Sequence, residues 1–139
     1  MKDPAMAREI PLRVLVVDGE ALIRWALCTG LAAAGFDAVG AEDAGAALQL
    51  AAERPPPRVA LIDWGPSKET AHLVTEIKRI YPACRFMLMT TVDRRDLVAP
   101  GSWDAVVIDK PFDLARTVAL VSDVADGRGR APLDLRKGA

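Results

Sequence analysis

Leu12-Arg13-Val14-Leu15-Val16-Val17-Asp18-Gly19-Glu20 is a nearly continuous apolar run that stops on an acidic residue. A strand with one wet face alternates apolar and polar residues, whereas a run without alternation suits a strand covered on both faces. Four more short runs follow: Phe36 to Ala41, Val59 to Ile62, Phe86 to Met89 and Ala105 to Ile108. The run from Phe36 is the weakest, with Asp37 and Gly40 inside it, and is expected at a sheet edge.

Helical periods separate the runs. Ile23, Leu27 and Leu31 recur every fourth residue, and Gly35 follows as a stop. Ala44, Ala47, Leu48 and Ala51 share a face that ends before Pro55-Pro56-Pro57. Leu73, Ile77 and Ile80 form a third stripe closed by Pro82, and Leu114, Val118 and Val121 form the last. Asp93 to Ser102 is the poorest helix, cut by Pro100-Gly101, and is assigned one or two turns. Strand and helix alternating five times imply an α/β fold: a doubly wound five-stranded parallel sheet, flavodoxin-like, with strand order 2-1-3-4-5.

The 139 residues fit one domain, expected over residues 11–126. Residues 1–10 read as a leader, either disordered or an expression scar, with Met6 as an alternative start. Residues 127–139 read as a flexible tail whose Arg128, Arg130 and Arg136 are solvated. With 51% apolar and 27% charged residues and a net charge of −1, nothing draws the chain to nucleic acid or anionic lipid. No run reaches the roughly 20 apolar residues of a membrane span, nor a signal-peptide core, so the expected compartment is the cytoplasm. Cys28 and Cys84 make no metal-binding spacing and read as small buried apolar residues.

In open α/β sheets, ligands bind beyond the carboxyl ends of the strands. The polar residues there are Asp18-Gly19-Glu20, Asp63, Thr90-Thr91 and Asp109-Lys110-Pro111-Phe112. Two carboxylates can hold Mg²⁺, which prefers oxygen and keeps several waters. A carboxylate can also attack a phosphoryl group to give an acyl phosphate. A lysine and a hydroxyl then meet the negative charge spread over the phosphoryl oxygens. Each residue also has a structural reading: Asp63 as a loop cap, Asp18 as the N-cap of the first helix, Lys110-Pro111 as a surface turn. His72 reads as solvated, Trp25 as helix core or rim, and Trp64 and Trp103 as packing or partner surface. Thr91 is expected to face away.

Val14-Leu15-Val16-Val17-Asp18, Leu61-Ile62-Asp63, Met87-Leu88-Met89-Thr90 and Lys110-Pro111-Phe112 together resemble the receiver domain of bacterial two-component response regulators. The resemblance covers about residues 12 to 125. It implies a (βα)5 receiver fold and a signalling phospho-acceptor rather than an enzyme, capable at most of its own phosphorylation and dephosphorylation. It matches Asp63 to the phospho-acceptor, Thr90 to the switch hydroxyl and Lys110 to the phosphoryl-contacting lysine. Asp18 and Asp63 match residues at the Mg²⁺ site, with the Gly65 backbone and Glu20 as further candidate ligands. The implied partners are a sensor histidine kinase or phosphotransfer protein, and a downstream protein on the face of helix four, strand five and helix five. Homodimerisation is left open.

The sequence departs from the family pattern at four places. Gly19 stands where a second acid is usual, which should weaken Mg²⁺ binding by on the order of 1–3 kcal/mol. The loop Trp64-Gly65-Pro66 is one residue short. Val107 replaces the aromatic switch residue, and the stretch between Thr90 and Lys110 is about two residues short of the family norm. The departures suit an alternative, a phosphorylation-independent pseudo-receiver that serves as an interaction module. A flavodoxin-like nucleotide binder on the same architecture would need a Gly- or Ser/Thr-rich loop after strand one, and Asp18-Gly19-Glu20-Ala21 is acidic instead.

Overall fold

The chain's structure is a computed structural model that describes residues 10–53, 55–64, 68–91 and 105–127. Over those residues the order is β1 (Arg13–Val17), α1 (Ala21–Ala33), β2 (Asp37–Ala41), α2 (Ala44–Ala52), β3 (Pro57–Asp63), α3 (Lys68–Ile80), β4 (Arg85–Thr90), β5 (Val106–Asp109) and α4 (Leu114–Ala125). Each of the five expected runs is a strand. The leader up to residue 9, the segment Asp93 to Ser102, Gly65, Pro66, Trp103 and the tail arginines lie outside the described residues.

All strand pairs are parallel, in the order β2-β1-β3-β4-β5, as the alternation requires. β2 lies at an edge, and only its last residue, Ala41, is buried. β1, β3 and β4 are buried on both faces, and successive residues divide between two cores. Val14, Val16, Val59, Leu61, Met87 and Met89 face α1 and α4, where Leu27, Leu31, Val121 and Val124 meet them. Leu15, Val17, Ala60, Ile62, Phe86 and Leu88 face α2 and α3, where Ala47, Ala51, Leu73, Val74 and Ile77 meet them. A Cβ built at Gly30 in α1 would lie 3.2 Å from Val118 Cγ2, so glycine there lets α4 approach closely.

The helix stop after α1 follows from backbone geometry. Gly35 has φ 96°, a left-handed conformation that costs other residues energy. The Gly35 N–H donates to the Ala32 carbonyl and the Phe36 N–H to the Leu31 carbonyl, each at 3.0 Å, closing a Schellman motif. Phe36 and Leu31 then join the same core. At the start of α2, the Asp43 carboxylate accepts from the Ala46 N–H at 2.8 Å.

Three packing expectations need correction. Trp25 is 65% exposed and so belongs to neither core nor rim, because α1 turns Leu27 and Leu31 to the sheet instead. Ile80, at the last position of α3, is 45% exposed, and Val74 takes its place in the stripe. Cys84 is buried as expected, but Cys28 is only half-buried.

Candidate functional site

The site gathers at the carboxyl ends of β1, β3 and β5. Asp18 follows β1, Asp63 ends β3, and Lys110 follows β5. β1 is flanked by β2 and β3, so chain connections leave it in opposite directions and open a crevice there. The crevice measures about 200 Å³, and its walls include Asp18, Gly19 and Asp63 with Glu42, Glu69 and Thr70.

One ammonium joins both carboxylates. Lys110 Nζ donates to Asp18 Oδ2 at 2.9 Å and lies 3.1 Å from Asp63 Oδ1. The Asp18 side chain is fully buried, that of Lys110 nearly so, and that of Asp63 is one-third exposed toward the crevice. Burial alone would lower the Lys110 pKa; hydrogen bonds to Asp18 and Asp63, with the charges of both, outweigh it and raise the pKa above 10.5.

The other Asp18 oxygen, Oδ1, accepts the Glu20 N–H at 2.8 Å. Asp18 therefore fulfils part of its structural reading, holding the turn into α1, while Glu20 occupies the N-cap position itself. Arg24 adds a bond from Nη1 to the Asp18 carbonyl at 2.7 Å. The Glu20 side chain is exposed and is not part of the crevice wall; its backbone N–H is what serves the site. Thr90 is buried, and its hydroxyl donates to the Thr91 carbonyl at 3.3 Å rather than to the carboxylate pair. Thr91 is exposed, and His72 is exposed on α3. Trp64 is buried against the α2–α3 core, and its backbone N–H donates to the Met89 carbonyl at 2.7 Å. Lys110 is aligned by its own N–H, which donates to the Thr90 carbonyl at 2.6 Å, and a cis peptide joins it to Pro111.

Glu42, Glu69 and Thr70 are crevice residues that the sequence reading missed. Glu42 is the first polar residue after the second run, so the strand-end rule applied to that run would have found it. Glu69 and Thr70 lie in the first turn of α3 and carry no signal beyond position.

The carboxylate pair fits a cation, since it already holds one in Lys110. Among the described residues, no group of three or more His, Cys, Asp or Glu side chains is disposed to hold a metal.

No protein-family model matches the chain. The chain is 30% identical over 112 residues to the DNA-binding transcriptional regulator NtrC of Escherichia coli K12, covering 78% of this chain and 24% of that protein. It therefore spans about a quarter of the length of that curated relative. A two-component transcriptional regulator AraC from Clostridium phytofermentans superposes with a TM-score of 0.69 at 28% identity, over 83% of this chain and 92% of that one. A response regulator from Thermotoga maritima superposes with a TM-score of 0.72 at 22% identity, over 84% and 99%. The chain has the fold of response-regulator receiver domains.

Nothing steric demands the glycine at position 19, where the sequence resemblance implies a second acid. A Cβ at Gly19 would have the Glu42 carbonyl oxygen as nearest neighbour, at an ordinary 3.7 Å. Val107, where the family carries an aromatic, lies half-buried in β5 against the α2–α3 core. Among the described residues, no helix is long and apolar enough to cross a membrane.

Proposed function

We propose that this receiver accepts a phosphoryl group on Asp63 and thereby switches its contacts with a partner protein. The observation that carries the reading is the single Lys110 ammonium held between Asp18 and Asp63. Asp63 is the more exposed carboxylate, which suits it to meet a donor; Asp18 is buried and anchored on both sides.

In this reading, an Asp63 oxygen attacks phosphorus and forms an acyl phosphate. The bond from phosphorus to the donor breaks, and its electron pair leaves with the donor. The donor is a sensor histidine kinase, a phosphotransfer protein or a small phosphodonor. Lys110 meets the charge that accumulates on the phosphoryl oxygens, and Asp18 holds Lys110 in line. Mg²⁺, held by Asp18 and Asp63 and with the Gly65 carbonyl as a third candidate, would supply further charge neutralisation. Thr90, at the end of β4 beside β5, is the switch hydroxyl: it would leave the Thr91 carbonyl for a phosphoryl oxygen. Output passes through β5, α4 and the segment before β5. The domain acts as a signalling element in the cytoplasm, not as a metabolic enzyme.

The longer E. coli relative is named as a DNA-binding regulator. For this receiver, with net charge −1, the proposed contact is with protein and not nucleic acid. A second reading, a pseudo-receiver that binds its partner without phosphate, is favoured by Gly19 and Val107.

Acetyl phosphate with Mg²⁺ separates the two. Intact-mass spectrometry should find one added phosphoryl group that Asp63→Asn abolishes. A beryllofluoride mimic should change the fluorescence of Trp64, the neighbour of Asp63. No labelling and no saturable fluorescence change, with partner binding intact in Asp63→Ala, would establish the pseudo-receiver.

A further inference from the structure

We propose that the outer edge of β2 pairs antiparallel with the same edge of a second copy of this chain, joining two sheets into one. The inference is independent of phosphoryl acceptance at Asp63. β2 is an edge strand and pairs only with β1. The Asp37 N–H donates to the Leu12 carbonyl, and the Ala41 carbonyl accepts the Asp18 N–H, so Asp37, Val39 and Ala41 turn their backbone groups toward β1. Alternate residues of a strand turn theirs to opposite sides, which leaves the N–H and C=O of Ala38 and Gly40 on the outer edge. Among the described residues, no strand or loop pairs with that edge.

Register and charge both select a second copy as the occupant. With Val39 on the two-fold axis, Ala38 faces Gly40 of the second copy and Gly40 faces its Ala38, each pair exchanging both backbone bonds. Edge strands are usually guarded by lysine, proline or a bulge. β2, Asp37-Ala38-Val39-Gly40-Ala41, has neither residue, and its register with β1 is unbroken. Its one charge, Asp37, is neutralised by Arg13 at 3.0 Å. The flanking helices add no repulsion. The only charged residue of α1 is Arg24, which is bound to the Asp18 carbonyl, and α2 has none. The outward residues of α1, among them Leu22, Trp25, Thr29 and Ala32, are uncharged, and a helix that is apolar all round is normally covered. A two-fold axis normal to the sheet keeps each face on its own side, so α1 meets α1 and α2 meets α2. Trp25 stands one turn from Cys28, whose Sγ overhangs Gly40, and so lies on the shoulder of α1 nearest the seam.

Sedimentation velocity of the whole chain, from low to high micromolar concentration, should show a monomer–dimer equilibrium. Amide hydrogen exchange followed by NMR reads the seam without any variant. The Ala38 and Gly40 amides should be protected at high concentration and lose protection on dilution, while those of Val39 and Ala41, bonded to β1, keep theirs. Trp25→Glu, at an exposed position, sets two carboxylates near the seam and should weaken dimerisation about tenfold or more. Its urea midpoint at low concentration should match wild type, which separates lost association from lost folding. A dimer whose Ala38 and Gly40 amides exchange freely, or one that Trp25→Glu leaves as tight as wild type, is formed elsewhere and overturns the proposal. A chain that stays monomeric throughout also overturns it, and leaves the edge to a strand of another protein.

Discussion

Gly40 in β2 lies directly under the side chain of Arg24 in α1: a Cβ built at Gly40 would come 2.9 Å from Arg24 Cγ and 3.1 Å from Cδ. The stem of Arg24 is thereby laid along the edge strand, and its guanidinium reaches the Asp18 carbonyl at 2.7 Å. An apparently weak position in an edge strand thus supports the turn that carries Asp18.

Gly40→Ala should therefore destabilise the domain, although alanine normally suits a strand better than glycine. Moving Cγ aside requires a χ1 rotation that pulls the guanidinium away from the Asp18 carbonyl, and Cys28 Sγ at 3.3 Å closes the other side. Overpacking of this kind costs about 1–3 kcal/mol. Urea denaturation would show the loss as a lower midpoint with an unchanged slope. Gly40→Ala, Arg24→Ala should recover part of it, since the clash would be gone.

Stability should fall in alkali through Lys110. Its folded pKa lies above 10.5, the value of an unperturbed lysine. A group whose pKa is raised on folding contributes stability that is complete below the unfolded value and is lost as pH rises through the folded one. The contribution should be constant up to about pH 10 and decline above 10.5, as Asp18 and Asp63 lose their counterion. Urea midpoints at pH 8, 10 and 11.5 for wild type and Lys110→Met isolate it, because the other titrating groups are common to both. An identical alkaline decline in the two proteins would contradict the assignment.

The two thiols should differ in reactivity. Burial pushes the Cys84 thiol up to about 12, against the weaker opposing charges of Lys78 and Arg58. Burial also raises the Cys28 pKa, but the nearby Arg24 charge opposes it and the residue is only half-buried. Since the thiolate is the reactive form, a disulfide reagent at pH 8 should modify Cys28 first. Cys84 should follow only under denaturant, as Cys28→Ser and Cys84→Ser would report. Rapid modification of Cys84 in the native protein would contradict its burial.

The fold was almost wholly legible in the sequence, because its signals are local. Runs such as Val14 to Val17 lack alternation, and only a strand covered on both faces tolerates that. Gly35 marked the end of α1 because a left-handed residue is needed there whatever surrounds it. Helix faces were less legible: Ile80 fits the apolar pattern yet lies exposed, as does the bulky apolar Trp25, since periodicity does not say how far a sheet extends beneath a helix.

Within the site, the sequence by itself determined which residues stand at the strand ends: Asp18, Asp63, Thr90 and Lys110. Only the tertiary structure decided how they pair. Lys110 lies 92 positions from Asp18, and parallel β-strands bring the two to one crevice at 2.9 Å. It also set the Thr90 hydroxyl on Thr91, turned Glu20 outward and brought Glu42 and Glu69 into the wall. The physical reason is that strand order and register are collective properties of the sheet. Backbone pairing fixes which carboxyl ends are neighbours, and side-chain charge then selects the contacts made among them.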